Sequence, residues 1–247
     1  MTTGRHGIRV AVTRPRLQSA ELTALLAESG YEPIEIPLLD IQALPVADES
    51  WDALERSDAV VVTSPSGAHH LVEALRGTGR RIPETVTVAA VGRITEAALL
   101  SAGIRVSLTP ERATGAALAD ALAERGVEGA RVVLARALEG RVELSDGLRA
   151  SGAEVTELPL YRAVSVTPDV GDVERARSAH VWTLTSPKIV DAAVAAVGSD
   201  TLAAAALVSI GPTTTAHVRR RGLQVAAEAA EQSAPGLVAA VAEAMSA

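Results

Sequence analysis

Arg9-Val10-Ala11-Val12-Thr13-Arg14 and Arg131-Val132-Val133-Leu134-Ala135-Arg136 decide the reading of this chain, because the second stretch repeats the first 122 residues on. The same spacing returns Gly30 as Gly152, Pro37 as Pro159 and Thr63-Ser64-Pro65 as Thr185-Ser186-Pro187. After a small deletion the spacing becomes 119, relating Gly92 and Thr95 to Gly211 and Thr214, and Gly103 to Gly222. A solenoid stacks three or more short repeats. Two long copies predict instead a pseudo-twofold protein of two similar α/β lobes.

The repeated stretches are strands in a parallel setting. Ile8–Thr13, Glu32–Pro37, Ala59–Thr63, Val86–Val91, Ile104–Leu108, Arg131–Ala135, Glu154–Pro159, Val181–Thr185, Ala206–Ile210 and Leu223–Ala227 are the predicted strands. They are apolar along their length rather than alternating, as strands covered on both faces are. Between them run Ala- and Leu-rich segments at helical spacing, such as Leu17, Leu22, Leu25 and Leu26, and Leu237, Val238, Val241 and Met245. Strand–helix alternation of this kind gives a doubly wound parallel sheet in each lobe.

Pro37-Leu38-Leu39-Asp40 and Pro159-Leu160-Tyr161-Arg162 hold the same place in each copy. Equivalent crossovers there predict exchanged lobes: residues 1–36 with 167–247, residues 41–160, and linkers at 37–40 and 161–166. Sequential lobes divided near residue 128 would show the same periodicity.

Composition narrows the chemistry. Of 247 residues, 48% are hydrophobic but 2% aromatic, with no Phe, so the core is Val, Leu, Ala and Ile. Cys is absent, which excludes disulfides and thiolate catalysis. No apolar run approaches the roughly 18 residues that span a bilayer, and the first residues lack the apolar centre of a signal peptide; a cytoplasmic protein is expected. A net charge of −7 argues against non-specific nucleic-acid binding. His6, His69, His70, His180 and His217 show no metal-ligand spacing. Dinucleotide, P-loop and serine-hydrolase motifs are missing.

Four loops remain. Thr63-Ser64-Pro65 and Thr185-Ser186-Pro187-Lys188 end strands and open helices, with Ser as cap and Pro at the first helical position. Val91-Gly92-Arg93-Ile94-Thr95 and Ile210-Gly211-Pro212-Thr213-Thr214 repeat the arrangement with Gly at the turn. Capping alone explains such sequences. Four of them at the carboxyl ends of parallel strands also match where open α/β sheets bind ligands, and helix starts attract carboxylates and phosphates. Arg14, Arg93, Arg136 and Lys188 stand in or beside these loops and supply charge-assisted contacts. Tyr161, in the second crossover, either covers apolar surface or presents its hydroxyl to a cleft.

Thr13-Arg14-Pro15, Val62-Thr63-Ser64, Gly92-x-x-Thr95, Leu160-Tyr161-Arg162, Thr185-Ser186-Pro187 and Gly211-Pro212-Thr213-Thr214, taken in this order, resemble the uroporphyrinogen-III synthase family along nearly the whole chain. The resemblance implies two α/β lobes joined by a two-stranded linker. It implies a cofactor- and metal-independent lyase, a monomer, that closes the polycarboxylate hydroxymethylbilane into uroporphyrinogen III with ring D inverted. Loss of the terminal hydroxyl as water, attack at the substituted carbon of ring D and a spiro intermediate are the implied steps. Tyr161 matches the family's linker tyrosine, placed to assist hydroxyl departure. Ser64, Thr95, Ser186, Thr213 and Thr214 match its cleft positions. The alternative within the same fold is a non-catalytic ligand-binding or sensor module.

Overall fold

A computed structural model describes residues 7–140 and 142–246. His6 and the side chain of Leu17 lie outside the described residues. The chain runs through β1 (Arg9–Val12), α1 (Arg16–Glu28), β2 (Glu32–Glu35), β3 (Leu39–Ala43), α2 (Asp48–Glu55), β4 (Ala59–Val62) and α3 (Pro65–Thr78). It continues through β5 (Thr87–Ala90), α4 (Arg93–Ser101), α5 (Gly115–Ala123), β6 (Arg131–Ala137), α6 (Glu143–Ala150) and β7 (Glu154–Ser165). The last part holds α7 (Val170–Arg177), β8 (Val181–Leu184), α8 (Pro187–Val197), α9 (Ser199–Ala203), β9 (Ala206–Ser209), α10 (Pro212–Arg220), β10 (Ala227–Glu228) and α11 (Ala234–Ala244). No helix of the described residues is long and apolar enough to cross a membrane.

Two compact units result. One comprises Met1–Ile41 and Val164–Ala247, the other Gln42–Ala163. The first holds a sheet of order β10-β9-β8-β1-β2, with every pair parallel. Val10, Val12, Val181 and Val208 pack against Leu22 and Leu26 of α1 and Leu237 and Val241 of α11. The second sheet has the order β3-β7-β6-β4-β5. There Val61, Val132 and Leu134 pack on Leu118 and Leu122 of α5 and Leu144 and Leu148 of α6. Aliphatic side chains make up most of both cores, but they are not alone: Trp51 and Trp182 are among the largest fully buried side chains, and Tyr31 joins the first core.

The duplication extends to strand register. Arg9 pairs with Glu32 as Arg131 pairs with Glu154. Val10 pairs with Val181 as Val132 pairs with Ala59, and Val181 with Ala206 as Ala59 with Thr87. Even the edge is repeated: Ala227 on Val208 corresponds to Leu108 on Ala89.

That edge corrects two predicted strands. Ile104–Leu108 forms only an isolated bridge at Leu108, and Leu223–Ala227 shrinks to Ala227–Glu228. Both segments have a neighbour on one side only, and short edges limit unwanted pairing. The crossovers carry strands. β3 occupies one of them, and β7 runs straight through the other to Ser165. Leu44 N–H donates to Leu160 O at 2.8 Å, and Val166 N–H donates to Leu38 O at 3.1 Å.

Candidate active site

Tyr161 is reached by an irregularity in β7. Arg136 pairs with Pro159 but Ala137 pairs with Tyr161, so Leu160 is an extra residue on this strand. Pro159 has no N–H to give to the ladder, and proline in a sheet is confined to edges and bulges. Such a bulge re-aims the side chain that follows it. Leu138 N–H then donates to Tyr161 O at 2.8 Å and fixes the loop after β6 on the bulge.

The Tyr161 ring is buried, 8% exposed, and its hydroxyl lies 2.9 Å from Ser64 Oγ. Ser64 is the cap of α3 and accepts the Gly67 N–H at 2.9 Å. Either hydroxyl can donate in the Ser64–Tyr161 bond; when Ser64 donates, the phenol proton is available to a ligand. Burial pushes the Tyr161 pKa up, and the bond to Ser64 only partly opposes it. The phenol is therefore a neutral proton donor throughout the physiological range. His70, six residues beyond Ser64, stacks on the phenol ring with centroids 5.0 Å apart and planes 24° apart.

The four helix starts divide into two kinds. Ser64 and Ser186 each accept a backbone N–H of their own helix, from Gly67 at 2.9 Å and from Ile189 at 3.2 Å. Gly92 and Gly211 supply no side-chain cap to α4 and α10. At α4 the first backbone bond runs from Glu96 N–H to Gly92 O, so the N–H groups of Arg93, Ile94 and Thr95 have no intrahelical acceptor. At α10, Thr214 and Thr215 N–H both donate to Gly211 O, and Pro212 has none to offer, which leaves Thr213. The glycine starts are thus the open donors. Gly92 has an extended backbone, and its glycine answers a packing demand: an added Cβ would stand 2.8 Å from Ala113 Cβ.

The remaining expected residues are placed as follows. Thr63 is half-buried at the end of β4; Thr95 and Thr214 are buried, and Thr213 is exposed. Pro187 is the first residue of α8, and Lys188 beside it is exposed. Arg93 is exposed at the start of α4. Arg14 is half-buried; burial lowers its pKa and Glu21 opposes this. Arg136 is buried and turned into its own loop, donating to Ala137 O and Gly140 O and facing Glu157 at 3.4 Å. A Cβ at Gly140 would meet Arg136 Nε at 2.6 Å, so glycine there makes room for the guanidinium. Arg136 shapes the loop that bears on Tyr161.

Sequence reading missed His70. The signal lay in the differences between copies: 122 residues from Tyr161 and His70 stand Leu39 and Ala192, while Ser64 keeps its counterpart Ser186. Exposed apolar side chains were missed as well. Ile94, Leu138 and Val142 are 70%, 50% and 56% exposed; Leu138 directly follows β6, and Ile94 is the second residue of α4, the helix after β5. Large exposed hydrophobics beside open donors suit a ligand with apolar rings and anionic arms. Among the described residues, no group of three or more His, Asp or Glu is placed to hold a metal ion.

Residues 20–239 match the family model described as uroporphyrinogen-III synthase HemD. The porphyrin biosynthesis protein HemD of Ruminiclostridium josui is 29% identical over 136 residues, 53% of this chain and 27% of that protein. The chain spans about half or less of the length of the curated relatives it matches. Among solved structures, uroporphyrinogen-III synthetase from Helicobacter pylori is similar over 97% of this chain and 99% of its own, with a TM-score of 0.67 and 16% identity. A mutant uroporphyrinogen III synthase from Thermus thermophilus has a TM-score of 0.63 and 18% identity, covering 97% and 99%. At such identities the likeness is one of fold.

Proposed function

The chain belongs to the uroporphyrinogen-III synthase family, and we propose that it closes hydroxymethylbilane to uroporphyrinogen III with inversion of ring D, as a cytoplasmic, cofactor-independent monomer. The observation that carries this reading is the Tyr161–Ser64 pair. A neutral buried phenol, its oxygen 2.9 Å from a helix-cap hydroxyl, is an acid that can give its proton to a ligand when Ser64 supplies the hydrogen of that bond.

In this mechanism Tyr161 donates toward the terminal hydroxyl of the bilane as the carbon–oxygen bond breaks and water leaves. The electron pair that replaces that bond comes from the adjacent pyrrole nitrogen, leaving a conjugated electrophile. The substituted carbon of ring D attacks it to form a spiro centre. Cleavage of the other bond at that centre and reclosure at the free position deliver the inverted ring. Free closure gives the uninverted isomer, so positioning a flexible chain is the main catalytic task. In the Gln42–Ala163 unit, Thr63, Ser64, Gly92, Thr95 and Arg136 form or shape the binding surface. In the other unit Arg14, Ser186, Pro187, Lys188, Gly211, Thr213 and Thr214 are the corresponding residues. Helix starts supply fixed partial positive charge to substrate carboxylates without raising the net charge. The lobes are read as 1–36 with 167–247, and 41–160, linked by 37–40 and 161–166.

The test is incubation with hydroxymethylbilane, oxidation to porphyrins and separation of isomers. Isomer III formed faster than isomer I supports the reading. Isomer I alone, at the rate seen without protein, overturns it, and tight product binding without turnover would point to a sensor module.

A further inference from the structure

We propose that His70 is a positioning residue whose ring stacks on Tyr161 and fixes the plane of the phenol, so that Ser64 can hold its oxygen. The inference rests on the proposed acid role of Tyr161 and adds a residue to it.

Three observations carry it. First, α3 touches Tyr161 twice: its cap Ser64 meets the hydroxyl at 2.9 Å and His70 meets the ring face at 5.0 Å between centroids. Two contacts from one helix define both where the phenol oxygen sits and how the ring is turned. A hydroxyl contact alone would leave the ring free to swing about that oxygen. Second, the helix start itself does not need His70. Ser186 caps α8 through the same bond and with the same backbone conformation, φ −163° and ψ 160°, yet Ala192 stands where His70 stands in α3. The phenol's counterpart there is Leu39. The ring pair occurs in the copy that has a hydroxyl to aim. Third, His70 is half-buried whereas its neighbour His69 is exposed, so the chain turns one of two adjacent imidazoles onto the phenol. Burial and the nearby His69 lower the His70 pKa, opposed by Glu73, which favours a neutral stacked ring.

The test uses three variants of the full chain: His70→Leu, which keeps bulk without a ring, His70→Phe, which keeps the ring, and His70→Ala. Each is made with Tyr31→Phe, so that labelled tyrosine reports Tyr161 alone. In the nuclear magnetic resonance spectrum, the ring-current shift of the Tyr161 protons is expected in the parent and in His70→Phe, and lost in His70→Leu and His70→Ala. The kcat is expected to fall about three- to tenfold in the Leu and Ala variants, with KM within about twofold, and to return in His70→Phe. A merely structural role would be met by Leu as well as by Phe, and would lower the unfolding midpoint rather than kcat. An unchanged tyrosine spectrum in His70→Leu, or parent kcat in that variant, overturns the proposal. If the parent forms no isomer III, the acid role has failed on its own. The spectrum then still decides the stack, because the shift requires no turnover.

Discussion

Replacing Tyr161 by Phe removes one oxygen from a buried ring and leaves the rest of the side chain to pack as before. The ring keeps its contact with His70, 5.0 Å away, and the backbone keeps the bond from Leu138. Ser64 keeps the Gly67 N–H, so the cap of α3 survives. What is lost is one hydroxyl–hydroxyl bond of 2.9 Å. A neutral bond of this kind contributes about 0.5–1.5 kcal/mol net, and in a chain of this length about 1 kcal/mol lowers the unfolding midpoint by roughly 2–4 °C. The effect on turnover should be larger. If the phenol donates to the departing hydroxyl, that bond strengthens in the transition state, and about 1–3 kcal/mol is at stake. At about 1.4 kcal/mol per decade, kcat falls roughly 5- to 150-fold. Water or a substrate carboxylate can reach the same hydroxyl, so the loss stays well short of abolition. The isomer ratio should hold, because substrate shape is set elsewhere. Continuous assay of kcat and KM, isomer separation and thermal unfolding, run together, check each part. A folded variant with parental kcat refutes the acid role. Ionisation offers a second check. Burial raises the Tyr161 pKa, so the phenol stays protonated beyond the ordinary value of about 10. Any alkaline loss of turnover that belongs to Tyr161 must therefore begin above that value, and stability contributed by the neutral phenol is lost only as pH rises past it.

Four further outcomes follow from the helix starts and the surface. Thr213→Pro should weaken product binding more than Thr213→Ala in a fluorescence titration, because the main-chain N–H is the proposed donor and the second helical position tolerates proline; equal weakening would assign recognition to the hydroxyl. Gly92→Ala should lower stability by about 1–3 kcal/mol in denaturant unfolding, since its Cβ would stand 2.8 Å from Ala113 Cβ. Gly211→Ala should cost less, because the atom it meets, Gln232 Nε2 at 2.9 Å, ends a flexible side chain. At Asp191, burial pushes the pKa up, but hydrogen bonds from His217 and Arg221 outweigh it and hold the carboxyl below its usual range. Its contribution is therefore present above the ordinary value of about 4 and is lost as pH falls through the lowered one. Asp191→Asn should flatten the acid limb of a pH–stability curve, and an unaltered limb would show the cluster contributes nothing.

The expected strands around Val10, Val61, Val133 and Trp182 were legible because burial on both faces writes itself into consecutive residues. Helix starts at Ser64 and Ser186 were legible because capping is local chemistry. The strand expected at Ile104–Leu108 failed for a matching reason. Its apolar run is real, but an edge segment with one neighbour needs only Leu108 in the ladder. A strand at β3 was implied by the family resemblance and not by local pattern, because Leu39-Asp40-Ile41-Gln42-Ala43 pairs with a strand more than a hundred residues away, and nothing within it demands that partner.

By itself the sequence determined that this is a duplicated α/β chain, with aliphatic cores, glycine- or serine-led helix starts and a tyrosine in a crossover. These are matters of composition and short-range spacing. Which strands share a sheet was a matter for the tertiary structure: identical periodicities suit either arrangement of the copies, and only pairing such as Val10 with Val181 selects one. So too was the aim of Tyr161, which depends on an extra residue in β7, a cap 97 residues earlier and a histidine on the same helix. Contacts between segments so far apart leave no period in the chain. They exist only once the sheet has brought β7 beside β6 and, through β4, set the start of α3 against the phenol.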